Sequence, residues 1–281
     1  MHNIALNSDG DGFDANGWIP IGNTSSEFTG TFNGNGHIIS NLWINRPNDC
    51  YVGLFGWIKG GHIKNLGVKI ADSGIIGKCN VGGIVGRITD LGKITTSYSK
   101  GSITGYNAGG IAGYINNGFV LYSYSEGSVI GTGSSVGGIV GRVNVGQISH
   151  SYSISNISGD QNVGGIAGYA RQAVIINNAA INPSVTGYYD VNRVIGYSVK
   201  SLETSNNFAL NTMTISDTVI NDANGLDGAS KEIGEFKLKT TYSNSIINGG
   251  LDWYFGDKNI NIIGVGNKAW IMPSNSYPKL Y

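Results

Sequence analysis

A short pattern of small and apolar residues returns along the chain at regular intervals. The pattern is glycine, two apolar residues and glycine, and a degenerate sixth copy begins with arginine. Its copies begin at Gly53, Gly83, Gly110, Gly138, Gly165 and Arg193. These first positions are 30, 27, 28, 27 and 28 residues apart. Such a period is typical of stacked repeats that bury their apolar side only against their neighbours. The pattern therefore predicts a solenoid.

A second apolar or aromatic position follows each copy by 13 to 15 residues, usually after Ser or Asn. It is occupied by Leu66, Tyr98, Tyr124, Tyr152, Ala179 and Phe208. Two fixed positions per period indicate two fixed sides per coil, and 27 to 30 residues suit three short strands with their turns. Right-handed crossovers are the rule for parallel strands. We therefore predict an all-β fold, a parallel right-handed β-solenoid.

Strand alternation predicts which side chains of each repeat face the core. We number each position by its distance from the first residue of the pattern, so that the second glycine is at position three. Position five should face inward: Ile58, Ile88, Ile115, Val143, Ala170 and Ser198. Position four should face outward: Trp57, Arg87, Tyr114, Arg142, Tyr169 and Tyr197. The direction of position two stays open, because the glycine at position three can bend the strand: Phe55, Val85, Ala112, Val140, Ala167 and Ile195.

The two ends of the chain lack the regular pattern. Residues 1–52 read as strands and turns, with alternation from Phe28 to Phe32 and turn residues from Asn33 to Gly36, and we interpret them as N-terminal coils. Residues 53–198 form the regular coils, and residues 199–281 form irregular coils and a C-terminal cap, with a helical turn compatible with Ser230 to Tyr242. A cap is expected because an open solenoid end exposes a strand edge. Together, residues 1–281 are predicted to be one domain.

Several segments, taken in order, resemble the GLUG-repeat region of bacterial surface adhesins, haemagglutinin-like proteins and the non-catalytic part of immunoglobulin-A-specific metallopeptidases. They run from residue 4 to residue 280 and include residues 18–22, 28–37, 41–42, 53–56 and 63–68. The resemblance implies a non-enzymatic β-solenoid segment of a larger, exported chain, monomeric and extracellular. It also implies an unidentified glycan or protein partner on a host or neighbouring cell.

Composition narrows the classes of partner. Lys plus Arg equals Asp plus Glu, 18 of each, so no net field attracts nucleic acid. No run of 18 apolar residues is present, which argues against membrane insertion. Glycine makes up 45 of 281 residues and charged residues only 13%, so Asn, Ser, Thr and Tyr must supply much of the polar surface.

Cys50 and Cys79 are 29 residues apart, close to the local period of 30. Stacking would bring them onto adjacent coils, where strand spacing of about 4.8 Å is compatible with a disulfide. They lie three and four residues before their glycines, so their registers differ by one. A disulfide and a pair of free thiols both remain open.

Candidate catalytic groups do not form a recognisable set. None of the four histidines, His2, His37, His62 and His150, lies in a His-Glu-x-x-His zinc motif. Residues 61–64 faintly resemble pieces of the polygalacturonase family, but no paired aspartates accompany them. A β-helix carbohydrate-active enzyme, a lyase or hydrolase, is the weaker alternative. We predict no catalytic residue and no cofactor.

Two further sets of polar residues have simple structural interpretations. Asp9, Asp11 and Asp14 have the spacing of a calcium loop, but Pro20 stands where that loop needs Glu, so a solvated loop is favoured over a metal site. Ser97, Ser123 and Ser151 precede tyrosines without a recurrent His or acid. We interpret them as hydroxyl ladders rather than nucleophiles, and we predict no metal site.

The position-four residues, from Trp57 to Tyr197, are the candidate ligand-binding residues, and we name them the stripe. One interpretation is a stacking ladder of arginines against tyrosines. The other is a binding surface, because aromatic and arginine side chains are enriched at interface hot spots. The two are compatible. We expect an adhesin segment with an elongated binding face, and the alternative is a stalk or spacer without its own ligand.

Overall fold

The computed structural model describes residues 3–7, 10, 12–199, 201–216, 222, 224–243, 251, 253, 270–271 and 276–280. It is a β-solenoid of about seven turns, with parallel strands stacked in coils of about 28 residues and 64% of the described residues in strands. The predicted all-β parallel solenoid is therefore confirmed.

Two sheets, parallel except for a hairpin at the start of the first, form the sides of the stack. Within the described residues the first sheet has 16 strands. In the regular coils these strands occupy the segment between the second fixed position and the next glycine pattern. Its strands are Ile4–Ala5, Phe13–Asp14, Gly17–Trp18, Ile38–Val52, Gly67–Gly82, Tyr98–Gly109, Tyr124–Gly137, Tyr152–Ser153, Asn156–Ser158, Gln161–Gly164, Ala179–Ala180, Ser184–Thr186, Tyr189–Asn192, Phe208–Leu210, Thr214–Ile215 and Ala229–Lys231.

The second sheet carries the glycine pattern and has 11 strands in the described part of the chain. They are Thr31–Asn33, Phe55–Lys59, His62–Lys64, Val85–Thr95, Ala112–Leu121, Val140–Val143, Gly146–Ser149, Ala167–Arg171, Ala173–Ile176, Ile195–Val199 and Glu203–Ser205. Every pairing recorded within this sheet is parallel. Each strand therefore lies beside its counterpart in the neighbouring coil.

The glycine at position three breaks the strict alternation of the strand. Position two is fully buried in all six copies, which answers the question that the sequence left open. Position five is fully buried in five copies and half-buried at Ser198, as predicted. In the third copy, a Cβ on Gly113 would collide with the backbone of Asn80 and Val81. The glycine therefore allows the strand to pass the preceding coil at close range.

Serine hydroxyls line part of the interior and bond to the backbone. Ser97 Oγ donates to the carbonyl oxygen of Thr95 at 2.8 Å, and Ser123 Oγ donates to that of Leu121 at 2.9 Å. Ser151 repeats this bond with Ser149 at 2.9 Å. These side chains act as ladder hydroxyls, because their hydrogen bonds satisfy polar groups that are buried between coils.

The two ends of the stack differ from its centre. At the start, Phe13–Asp14 and Gly17–Trp18 form an antiparallel hairpin, whose Gly17 pairs with Ile44. At the other end, parallel pairing continues past residue 199, because Ala179–Ala180 pairs with Phe208–Leu210. A 3-10 helix at Glu235–Lys237 and an α-helix at Lys239–Ser243 follow, and Trp270–Ile271 pairs antiparallel with Lys279–Leu280.

Candidate binding face

The six stripe residues form one column across adjacent coils. Five successive pairs are in register: Trp57 with Arg87, Arg87 with Tyr114, Tyr114 with Arg142, Arg142 with Tyr169, and Tyr169 with Tyr197. Tyr197 is exposed and the other five side chains are half-buried. With strands about 4.8 Å apart, the column is a track of roughly 24 Å. The structure thus places all six residues together on the outside of the second sheet.

Arginine side chains stack on the aromatic rings of the stripe. The guanidinium carbon of Arg87 is 4.2 Å from the centroid of Trp57 and 5.5 Å from that of Tyr114. The guanidinium carbon of Arg142 is 4.3 Å from the centroid of Tyr169. Tyr169 and Tyr197 continue the row with centroids 6.1 Å apart. These contacts hold the cations in fixed positions on the surface.

Tyr51 belongs to the same cluster, and the sequence analysis missed it. Its ring lies 5.3 Å from that of Trp57, and its hydroxyl oxygen accepts a hydrogen bond from Arg87 Nη1 at 3.3 Å. Tyr51 has a left-handed backbone conformation with φ of 61°, at a corner where the next coil has Asn80 with φ of 52°. The signal for Tyr51 is its position just before the glycine pattern. Val52 pairs with Val81, so Tyr51 lies opposite Asn80 at the corner that leads into the stripe strands.

The disulfide lies beside this end of the stripe. Cys50 and Cys79 are joined, with Cα atoms 4.5 Å apart on adjacent coils. They pair directly, and the one-residue difference is absorbed after them, between the pairs Val52–Val81 and Phe55–Val85. A cavity of about 380 Å³ opens next to Cys50 and Tyr51. The bond thus fixes the corner from which Tyr51 reaches Arg87.

The second fixed position forms a different aromatic column, on the first sheet. Tyr98, Tyr124 and Tyr152 stack with centroids 4.8 Å apart and interplanar angles of 9° and 2°. The prediction that Leu66 is the first member of this column is wrong. Tyr98 pairs with Gly67, and Leu66 lies one residue earlier, in register with Ser97, where both side chains are buried. A Cβ on Gly67 would collide with the outer end of the Tyr98 ring, so the glycine leaves room for the ring in its present position.

The C-terminal segment covers part of this tyrosine column. The Tyr152 hydroxyl donates to the carbonyl oxygen of Pro278 at 2.6 Å, and the Trp253 ring packs 6.1 Å from that of Tyr152. Burial raises the pKa of Tyr152 well above its ordinary value, with smaller contributions from Tyr124 and its neighbours. Tyr152 therefore serves in packing at the end of this column, whereas Tyr98 and Tyr124 are half-buried like most residues of the stripe.

Asp14 is the one member of the candidate calcium loop that the structure describes. Asp14 forms an ion pair with Arg46 at 2.7 Å, and that hydrogen bond lowers the pKa of the carboxyl group. Asp9, Asp11 and His2 lie outside the described residues. No group of three or more His, Cys, Asp or Glu side chains that could hold a metal ion occurs in the part of the chain that the structure describes.

His62 is held in its neutral form. Burial, with smaller contributions from the nearby charges of Lys93 and Lys64, lowers its pKa to about 4. Its Nε2 is 2.8 Å from the hydroxyl oxygen of Thr95. Among the described residues no carboxylate is recorded as a partner of this ring. The arrangement offers a hydrogen bond at neutral pH rather than a charged acid.

Comparison with solved structures supports the fold. The chain aligns with a crystal structure described as a "putative immunoglobulin A1 protease" from Bacteroides ovatus, with a TM-score of 0.65 and 22% sequence identity. The alignment covers 83% of this chain and 77% of that one. At this identity the likeness concerns the β-solenoid fold. No family model matches the chain, so the GLUG resemblance remains a prediction.

Two curated proteins share shorter stretches of sequence. Halomucin from Haloquadratum walsbyi is 42% identical over 91 residues, which is 32% of this chain and 1% of halomucin. A "putative Gly-rich membrane protein" from Evansella cellulosilytica is 47% identical over 51 residues, 18% of this chain and 6% of that protein. The matches span a small part of either relative. In this chain no helix among the described residues is long and apolar enough to cross a membrane.

Proposed function

We propose that this chain is a non-catalytic β-solenoid segment of a bacterial cell-surface or secreted adhesin, and that it binds a glycan or protein through the stripe. The observation that carries the proposal is the column of four aromatic and two arginine side chains, in register on six adjacent coils. Such side chains offer flat apolar faces and planar hydrogen-bond donors at a regular spacing. A ligand with a repeating structure could contact every coil.

Two further observations support an exported protein. A disulfide between Cys50 and Cys79 is typical of proteins that mature in an oxidising compartment. The two curated relatives carry names that refer to a mucin-like and a membrane protein, and each is far longer than this chain. These features favour a segment of a large surface-associated protein over an independent intracellular protein.

The proposed absence of catalysis rests on the surroundings of His62. The ring contacts Thr95 and lies near two lysines, and the described residues give it no carboxylate partner of the kind used in general acid-base hydrolysis. We expect no turnover of pectin, hyaluronan, alginate or immunoglobulin. Turnover that persists in repurified protein and disappears in His62→Ala would overturn this part of the proposal.

The binding proposal is tested with glycan and host-protein arrays, using the whole chain and the variants Tyr114→Ala and Tyr169→Ala. Tyr106→Ala is the matched control, because Tyr106 is exposed on the first sheet. We expect both stripe variants to lose binding while their melting temperatures stay close to that of the parent. If both melt several degrees lower and bind normally, the stripe is a structural ladder and the segment functions as a spacer or through another side.

A further inference from the structure

The outward side of the glycine-pattern strands is positively charged, although the whole chain is neutral. On this side, positions four and six alternate with the buried position five. The position-six residues are Lys59, Thr89, Asn116, Asn144, Arg171 and Val199. Neither position contains an acidic residue in any of the six coils. We name this surface, positions four and six together, the stripe face.

Three arginines of this surface form no ion pair within the described part of the chain. Lys59 pairs with Glu27 at 3.6 Å, but Arg87, Arg142 and Arg171 have no carboxylate within salt-bridge distance among the described residues. The other two arginines of the chain are both ion-paired: Arg46 with Asp14 and Asp49, and Arg193 with Asp227. The stripe face therefore concentrates three uncompensated guanidinium groups.

Two of these cations are spaced by one intervening coil. Arg87 and Arg142 both pair with Tyr114, one on each side, so they are two strand steps or about 10 Å apart. Each guanidinium stacks on a ring, with centroid distances of 4.2 Å and 4.3 Å. A stacked guanidinium keeps in-plane N–H groups that can bind carboxylate or sulfate in a bidentate manner. The two arginines thus form a pair of anion-binding points with an aromatic ring between them.

We propose that the stripe face binds an extended acidic polysaccharide whose carboxylates or sulfates recur on alternate sugar units. Acidic groups would bind Arg87 and Arg142, and sugar rings would stack on Tyr114 and Tyr169. This assignment rests on the proposed binding function of the stripe. One sugar unit of an extended chain has nearly the length of one strand step, so each unit meets one coil. Arg171, two residues beyond Tyr169 and on the same side of its strand, adds a third anion-binding point beside the row.

The spacing favours a polysaccharide over a single-stranded nucleic acid. Phosphates recur on every nucleotide, whereas the stripe presents a cation at every second coil from Arg87 to Arg142. The neutral chain also lacks the overall positive charge that is typical of nucleic-acid-binding domains. A nucleic acid is therefore included as a competing probe.

The experiment measures binding of the whole chain to matched immobilised polymers. The probes are hyaluronan, the same polymer with its carboxyl groups reduced, polygalacturonate, a neutral β-glucan and single-stranded DNA. The variants are Arg87→Gln and Arg142→Gln, with Lys69→Gln as control because Lys69 is exposed on the first sheet. We expect hyaluronan to bind best, carboxyl reduction or either arginine variant to weaken binding about tenfold, and added salt to weaken it further. The control should bind normally.

The other outcomes show whether the acidic ligand, the binding site or both have been assigned wrongly. If native and reduced hyaluronan bind equally, and Tyr114→Ala abolishes binding while Arg87→Gln does not, the acidic ligand class is wrong and the stripe remains a binding site. If a polymer binds but no stripe variant affects it, both proposals are wrong about the site. If DNA binds most tightly and with the same variant dependence, the ligand is a nucleic acid. If no polymer binds, the polysaccharide assignment is overturned.

Discussion

The guanidinium carbon of Arg87 lies 4.2 Å from the ring centroid of Trp57, on the neighbouring coil. The same cation is 5.5 Å from the rings of Tyr51 and Tyr114, so aromatic side chains flank it on both adjacent coils. Stacking and binding are not alternatives at such a position. The rings fix the guanidinium in place, and a fixed cation loses less side-chain entropy when a ligand binds.

We predict that Arg87→Lys separates the charge of this residue from its shape. The ammonium group keeps the positive charge but cannot stack as a plane or bind an anion in a bidentate manner. Stability should fall by about 0.5 to 1 kcal/mol, the usual range for an exposed cation–π contact. Thermal unfolding measures this loss. A larger loss, equal in Arg87→Lys and Arg87→Ala, would indicate that the aliphatic packing of Arg87 matters more than its plane.

Removal of the disulfide should destabilise the start of the regular stack. The bond closes a loop of 29 residues, and loops of this size gain about 3 to 4 kcal/mol from restriction of the unfolded chain. Cys50→Ala with Cys79→Ala should therefore lower the denaturation midpoint in urea. Reductant should lower the midpoint of the parent to the same value and leave the double variant unchanged. Two alkylated thiols in protein folded under oxidising conditions would contradict the pairing.

Position three of the pattern should tolerate no side chain. In Gly113→Ala the new methyl group would collide with the backbone of Asn80 and Val81, which cannot rotate away. We expect a loss of about 1 to 3 kcal/mol or failure to fold. Gly234→Ala is the control, because nothing lies within 4 Å of its Cβ position and its φ of −66° suits alanine. Equal stabilities of the two variants would mean that the coils can move apart.

Stability should fall in mild acid because of His62. The unfolded chain binds a proton near pH 6.5, whereas burial, Lys93 and Lys64 lower the pKa of the folded imidazole to about 4. Protonation therefore favours the unfolded state, and the contribution of His62 is lost as pH falls from about 6.5 to about 4. His62→Gln should flatten this part of the stability profile. Titration of the imidazole by nuclear magnetic resonance gives the pKa directly, and a value near 6.5 would contradict the prediction.

The period of the glycine pattern made the stack and the stripe predictable. Each coil repeats the same steric requirement at position three, so one alignment of copies places position four of every coil in one outward column. Arg87, Tyr114 and Arg142 are in register for this reason. The alignment of the second fixed position failed at Leu66. The sequence comparison matched this buried leucine with Tyr98, but Leu66 is in register with the buried Ser97, and Tyr98 is in register with Gly67.

Other features depend on contacts that no local pattern encodes. The bond from Tyr152 to Pro278 joins residues 126 positions apart, so periodicity gives no signal for it. Tyr51 contacts the stripe because its backbone is left-handed at a corner, where a tyrosine is unusual. The neutral composition of the whole chain gave no signal for the positive charge of the stripe face, which arises because positions four and six contain basic residues and no acidic ones.

The last prediction concerns Arg193, which replaces the first glycine in the sixth copy of the pattern. Its side chain is buried, and Nη1 and Nη2 donate to Ser230 Oγ at 2.9 Å and to the carbonyl oxygen of Gly228 at 2.8 Å. Asp227 accepts a hydrogen bond from the Arg193 backbone N–H at 2.8 Å and lies 3.9 Å from its Nε. Arg193 therefore ties the irregular segment around residues 227–230 to the last regular coils.

Asp227→Asn should destabilise this end of the solenoid by about 3 to 5 kcal/mol, because it leaves a buried guanidinium without its countercharge. Arg193→Met with Asp227→Asn should recover part of the loss, since the buried charge is then removed as well. Stacked repeats unfold in part from their ends, so amide hydrogen exchange should accelerate at Ile195–Val199 and Ala229–Lys231 while Ala112–Leu121 stays protected. If exchange accelerates equally in all three strands, the pair stabilises the whole stack and Arg193 is not a local anchor of its end.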